Sequence, residues 1–110
     1  MGKYQIYALA VLSIFLTAPP ALAAGKPELA RGIVAEHCTA CHEVPNFRSR
    51  HGRASVNAPS FQSIADRPTV YTQARLEAFL RRPHYPMTKF VLSPSDIDNL
   101  IAFIETLRKK

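Results

Sequence analysis

The two cysteines of this 110-residue chain lie three positions apart, and a histidine directly follows the second, in Cys38-Thr39-Ala40-Cys41-His42. Residues three and four positions apart share one face of a helix, so both thiols and the imidazole are predicted to face the same side. Two thiols in this arrangement can add to the two vinyl groups of a haem while the imidazole reaches its iron. C-x-x-C-H is the attachment motif for c-type haem, and the sequence therefore predicts one covalently bound haem c.

Three other uses of paired cysteines fit this segment less well. A disulfide between Cys38 and Cys41 would close almost no loop and would constrain the unfolded chain little. A thioredoxin-like thiol pair needs a preceding βαβ pattern, whereas the residues before Cys38 have helical periodicity. A zinc site needs four ligands, and no histidine pair of suitable spacing follows the cysteines.

A haem iron also has a sixth position, for which the chain offers His37, His51, His84, Met87 and Lys89. His37 is adjacent to Cys38 and is predicted to point elsewhere on its helix. Met87 is the only methionine besides Met1, lies in a proline-bounded loop, and precedes a helix that could brace it. A lone methionine is often a core residue, so spacing alone leaves the role of Met87 open.

The first 24 residues differ in composition from the rest of the chain. Lys3 is their single charged side chain, an apolar run follows from Tyr4 to Leu16, and Ala21-Leu22-Ala23 forms a small-residue cleavage box. This pattern predicts a Sec-type signal peptide over residues 1–23, with cleavage near Ala23/Ala24, and an exported, periplasmic domain over residues 24–110. An uncleaved anchor is the alternative, but the apolar run is shorter than the roughly 18 residues needed to span a bilayer. No membrane insertion is expected after cleavage.

Size and charge limit what the exported domain can do. Cleavage would leave 87 of the 110 residues and, because Lys3 is lost, would change the formal charge from +6 to +5. A domain of this size builds only a small hydrophobic core, so a buried cofactor is expected to complete it. The sequence contains no paired catalytic carboxylates, no nucleophile with its base and no phosphate-binding glycine loop, which argues against an enzyme. No nucleic-acid partner is expected.

Apolar spacing predicts an all-α domain of three to four helices with long loops. The first helical run starts at Pro27 and ends before Pro45, and residues 46–58 are predicted to form a surface loop. A short apolar turn carries Phe61, Ile64 and Ala65. Thr72 is predicted to cap a helix with Leu76, Phe79 and Leu80 on one stripe. A last helix is predicted to begin at Ser93-Pro94-Ser95-Asp96, and its apolar face comprises Ile97, Leu100, Ile101, Ile104 and Leu107.

Together these motifs resemble a class I cytochrome c over essentially the whole mature domain. The resemblance rests on the segment from Gly32 to His42, on Pro59-Ser60-Phe61 with Arg67 eight residues after the proline, on Pro86-Met87, and on the segment from Asp98 to Ile104. It implies the cytochrome c fold, with the helices and loops packed around one covalently bound haem. The chain departs from the mitochondrial type in having no tryptophan.

The resemblance also implies roles for individual residues around the haem. The Pro59 carbonyl would accept the Nδ1 proton of His42, Phe61 would pack on the haem face, and Arg67 would reach a propionate. His42 and Met87 would be the axial ligands of the iron. In this sequence His84 is an alternative to Met87, because it lies only three residues away and a small loop shift would exchange them. Gly32 and Phe103 would be the pair at which the first and last helices cross, with the glycine making room for the ring.

Axial ligation by histidine and methionine would leave no open position on the iron, so the expected function is single-electron transfer. The domain would act in an exported electron-transfer chain or as the haem subunit of a redox complex. Two alternatives remain: a haem-based ligand sensor with a displaceable sixth ligand, and a thiol oxidoreductase that uses Cys38 and Cys41. Redox proteins are the expected partners, and Arg81, Arg82 and Lys89 are predicted to steer one with an acidic docking face.

Overall fold

The structure is a computed structural model that describes residues 25–82, 87 and 91–110. The predicted signal peptide, His84 and Lys89 lie outside the described residues. Within them the chain forms four α-helices and no strand: α1 (Arg31–Glu36), α2 (Phe61–Ala65), α3 (Gln73–Leu80) and α4 (Pro94–Thr106). This confirms the predicted all-α fold. Among these helices, none has the length and apolar character required to cross a membrane.

The first helical run is interrupted where the sequence predicts it to be continuous. A 3₁₀ turn at Pro27–Ala30 leads into α1, and a second 3₁₀ turn follows at Cys38–Ala40. Helical hydrogen bonding nevertheless continues through the cysteine motif, because the His42 N–H donates to the Cys38 carbonyl at 2.8 Å. Thr39 is buried and donates its hydroxyl to the Ala35 carbonyl at 2.9 Å, which ties this turn to α1.

Helix α4 begins at the residues predicted from the sequence. The Ser93 hydroxyl accepts from the Asp96 N–H at 3.1 Å, and the Asp96 carboxylate accepts from the Ser93 N–H at 3.1 Å. This capping box satisfies two backbone N–H groups that the helix cannot satisfy itself, and Pro94 fits the first helical position. The buried face of α4 comprises Ile97, Leu100, Ile101, Phe103 and Ile104.

Helix α3 also begins as predicted, but its apolar stripe is narrower. The Thr72 hydroxyl accepts from the Arg75 N–H at 3.2 Å and caps the helix. Leu76 and Leu80 are half-buried against the core, whereas Phe79 is 53% exposed, so its predicted place on the buried stripe is wrong. The eight-residue helix packs against α4, and its two half-buried leucines lie four positions apart on one face of the helix.

Residues 46–58 are largely exposed, as predicted for a surface loop, but Phe47 near the start of this loop packs against the core. Val44 is buried, and the half-buried Phe47 ring packs edge-on against Phe103, with ring centroids 5.7 Å apart. The Arg31 guanidinium lies 4.8 Å from the centre of the Phe47 ring. A single aromatic residue in a polar loop has no periodicity, so the sequence pattern carries no signal for this contact.

Gly32 does not make room for Phe103, and this expectation is corrected. Gly32 is exposed, and a Cβ placed on it would meet nothing within 4 Å. The small residue buried next to α4 is Ala30, which is 0% exposed and shares its helical face with Val34 four positions later. The glycine that does lie against α4 is Gly25, where a Cβ would collide with the Asp98 carbonyl.

Candidate functional site

Cys38 and Cys41 are both free thiols in this structure. Cys38 is 4% exposed on its 3₁₀ turn, and Cys41 at the end of that turn is half-buried. The Cys41 N–H donates to the Cys38 carbonyl at 3.2 Å, so the backbone between the two thiols is held in a tight turn. The two side chains that the motif predicts to attach a haem therefore lie at the edge of the hydrophobic core.

Burial raises the pKa of the Cys38 thiol to about 12, because the thiolate would lose its hydration. Thiol oxidoreductases need the opposite effect, since the thiolate is the nucleophile and its pKa is lowered at their reactive cysteine. Their fold also contains strands, and the described part of this chain is helical. Both observations disfavour thiol exchange as the function of the cysteine motif.

The imidazole of His42 is fixed by a carbonyl group from a distant part of the chain. His42 Nδ1 lies 2.6 Å from the Pro59 carbonyl oxygen, which is the contact that the resemblance implies. A carbonyl can only accept a hydrogen bond, so Nδ1 carries a proton, and in the neutral form of the imidazole the lone pair is on Nε2. Hydrogen bonding at one ring nitrogen increases the basicity of the other and is typical of a metal-binding histidine.

Two further contacts hold Pro59 beside His42. The Phe61 N–H donates to the Glu43 carbonyl at 2.9 Å, so the segment from Pro59 to Phe61 is joined to the residues that follow the cysteine motif. The Ser60 hydroxyl accepts from the Ser63 N–H at 3.1 Å and begins α2 directly after Pro59. Because backbone groups make the contact with Glu43, the sequence pattern could not reveal it.

Aromatic side chains form the apolar surroundings of His42. Phe61 is 4% exposed, and its ring centre lies 5.3 Å from that of His42 and 6.4 Å from that of Phe103. The imidazole thus lies between a polar anchor at Nδ1 and an apolar wall. The packing of Phe61 on a haem face stays a prediction.

The remaining predicted residues are less closely associated with His42. Arg67 is exposed after the end of α2, and its guanidinium lies 5.9 Å from the centre of the Tyr71 ring. Met87 is half-buried at a bend, and its approach to the iron stays a prediction. His51 lines a cavity of about 250 Å³ beside α1, together with Glu36, Thr39 and Arg50.

The donor set around the cysteine motif fits a covalently attached haem. It comprises two thiols on one turn, an imidazole held through Nδ1, and an aromatic wall beside the imidazole. A redox-inert metal site would instead need several converging ligands. The described residues hold no group of three histidine, cysteine, aspartate or glutamate side chains that could bind a metal ion.

Comparison with known proteins gives one informative match. Neither a family model nor a solved structure matches the chain significantly. The chain is 38% identical over 71 residues to the curated protein cytochrome c-552 from Bradyrhizobium diazoefficiens. The match covers 64% of this chain and 64% of the relative's own length, so the chain spans a little under two thirds of that protein.

Proposed function

We propose that the chain is a single-electron carrier. The C-x-x-C-H motif, the helical fold and the curated relative together support a class I c-type cytochrome. The observation that carries the proposal is the hydrogen bond between His42 Nδ1 and the Pro59 carbonyl. It holds the imidazole through Nδ1 and leaves Nε2 as the nitrogen that can bind iron, directly after a pair of free thiols.

Four side chains would hold one covalent haem c. Cys38 and Cys41 would form the thioether links, His42 would bind the iron through Nε2, and Met87 would bind it through its thioether sulfur. When bound, the haem supplies an iron that gains and loses one electron. With side chains at both axial positions there is no vacant place for a substrate, which favours a carrier rather than an enzyme.

The protein residues around the haem would set its properties. Pro59 fixes the tautomer of His42, and Phe61 excludes water from one side of the imidazole. The neutral sulfur of Met87 would disfavour the extra positive charge of ferric iron and so raise the reduction potential. Arg67 would pair with a haem propionate, and to do so its guanidinium would leave its present position over the Tyr71 ring.

The location and the partner follow from the signal peptide and the charge. Residues 1–23 would direct export to the periplasm, where the domain would exchange electrons with other redox proteins.

An acidic docking face on such a partner would be attracted by the basic side chains of Arg81, Arg82 and Lys89. We expect the electron-transfer rate to the physiological partner to fall as ionic strength rises, and a rate independent of ionic strength would refute this docking surface.

Carbon monoxide binding to the reduced protein separates the carrier from a haem-based sensor. We expect the wild-type protein to bind carbon monoxide poorly, because Met87 would occupy the sixth position. The Met87→Ala variant should bind it readily, and His84→Ala, which removes the neighbouring alternative ligand, should behave as the wild type. Ready binding by the wild-type protein would contradict the carrier and indicate a displaceable sixth ligand.

A further inference from the structure

Two segments that are distant in sequence meet beside His42 through two hydrogen bonds. The Pro59 carbonyl accepts from His42 Nδ1 at 2.6 Å, and the Phe61 N–H donates to the Glu43 carbonyl at 2.9 Å. The residue between these two backbone groups is Ser60. Neither hydrogen bond involves its side chain, yet both depend on its backbone conformation.

The dependence follows from the planarity of the peptide bond. The Pro59 carbonyl lies in the peptide plane between Pro59 and Ser60, and the Phe61 N–H lies in the next plane. Only φ and ψ of Ser60, at −65° and 150°, join these two planes. The orientation of the Pro59 carbonyl relative to the Phe61 N–H is therefore set by the conformation of this one residue.

The Ser60 side chain stabilises that conformation. Its hydroxyl accepts from the Ser63 N–H at 3.1 Å, which is the N-cap contact of α2 and requires the extended backbone that Ser60 adopts. The helix that follows is anchored by buried side chains, including Phe61 and Ile64. A loss of the cap would free the Ser60 backbone to rotate while the helix itself stays packed.

We propose that Ser60 is a positioning residue for the axial imidazole: its hydroxyl, by capping α2, keeps the Pro59 carbonyl on His42 Nδ1. The proposal rests on the proposed function, because it assigns Ser60 an effect on a histidine bound to haem iron. A hydrogen bond to Nδ1 increases the basicity of the imidazole and so favours ferric iron. A weaker hydrogen bond should therefore raise the reduction potential.

Three variants of the haem-loaded protein test this. Ser60→Ala removes the cap, Ser60→Thr keeps a hydroxyl at the same place, and Thr72→Ala removes a cap of the same type from α3. The measurements are the midpoint potential by redox titration and the exchange rate of the His42 Nδ1 proton by NMR of the reduced, diamagnetic form. Thermal unfolding of each variant gives the accompanying loss of stability.

We expect Ser60→Ala to raise the midpoint potential and to accelerate exchange of the His42 Nδ1 proton by about fivefold, as the free energy of a typical N-cap predicts. Ser60→Thr should restore both values towards the wild type. Thr72→Ala should lower thermal stability by a similar amount while leaving the potential and the exchange rate unchanged. If Ser60→Ala accumulates poorly, Ser60→Gly, a milder loss of the cap, should move both values in the same direction.

Equal potentials and exchange rates in Ser60→Ala and Thr72→Ala would overturn the proposal and leave Ser60 with a merely structural role. That result would not affect the proposed function, since the wild-type protein would still carry haem. A wild-type protein that acquires no haem in a host competent for c-type maturation would overturn both.

Discussion

The Pro59 carbonyl oxygen lies 2.6 Å from His42 Nδ1, and this contact determines which imidazole nitrogen can bind a metal. The C-x-x-C-H motif predicts the two thiols and the imidazole because covalent haem attachment needs those residue types at that spacing. Spacing alone could not have identified Pro59, which is 17 positions away from His42. Only the resemblance to a known family indicated it.

Met87 allows a direct test at the residue scale. In Met87→Ala, the weak far-red absorption band that a methionine sulfur gives to oxidised haem should disappear. The reduction potential should also fall, because water or another harder ligand would stabilise ferric iron better than a thioether does. The same optical spectrum and redox titration of His84→Ala should match the wild type. A wild-type spectrum without this band, which changes in His84→Ala but not in Met87→Ala, would assign the sixth ligand to His84.

At the scale of the helices, caps could be predicted from sequence and packing partners could not. Thr72 and Ser93 begin α3 and α4 as expected, because a side-chain oxygen at an N-cap acts on nearby backbone groups. Which small residue lies against α4 depends instead on how two helical segments meet. Gly32 and Ala30 are both small, and only the three-dimensional structure shows that Ala30 is the buried one.

The corrected position of Gly32 predicts a stabilising substitution. Gly32 lies within α1, where a Cβ would meet nothing within 4 Å, so Gly32→Ala should gain the helix propensity of alanine without a steric cost. We expect an increase of about 0.5–1 kcal/mol in the free energy of unfolding, measured by urea denaturation of the haem-loaded protein. Ala30→Leu, at the buried small residue, should instead destabilise by about 1–3 kcal/mol. If Gly32→Ala destabilised the protein instead, Gly32 would have to lie where the first and last helices cross.

The end of α2 is joined to the C-terminal segment through Asp66. The Asp66 carboxylate accepts from the Lys109 N–H at 2.9 Å and from Gln62 Nε2 at 3.0 Å. The same Gln62 nitrogen also donates to the Leu107 carbonyl at 2.6 Å. The backbone hydrogen bond from Lys109, followed by the one from Gln62, lowers the pKa of Asp66 below its usual 3.8. The carboxylate form is therefore favoured by folding.

A lowered pKa in the folded state gives a defined pH dependence. The stabilisation by Asp66 is fully present above pH 3.8 and is lost as the pH falls through the lower pKa of the folded state. The thermal midpoint of Asp66→Asn should thus lie below that of the wild type near neutral pH, and the two midpoints should converge in acid. Asp98→Asn, at an exposed position of α4, controls for the loss of one negative charge. A constant difference across this pH range would exclude the assigned role.

For the whole molecule, the haem explains how so short a chain can hold a stable fold. The predicted mature domain has 87 of the 110 residues, and its core includes Phe61 and Phe103 beside the cysteine motif. A domain of this size builds only a small hydrophobic core, which a buried cofactor can complete. The haem would supply that buried apolar surface.

The double variant Cys38→Ser/Cys41→Ser tests this dependence. Without the thioether links the chain should be largely unfolded, because the haem would no longer be retained to complete the core. Far-ultraviolet circular dichroism of the purified variant should show a large loss of helix relative to the wild type. Cys38→Ser alone, which keeps one thioether link, should retain more helix than the double variant. Native-like circular dichroism of the double variant would show that the polypeptide folds without the cofactor.

The most direct test of the account is to express the full-length chain in a host with a c-type maturation system and to record absorbance spectra of the exported protein in both oxidation states. We expect a covalently bound haem, a sharp low-spin spectrum when reduced, and a far-red methionine band when oxidised. A colourless protein would contradict haem attachment at Cys38 and Cys41. A high-spin haem would contradict axial ligation by both His42 and Met87 and, with it, the electron carrier.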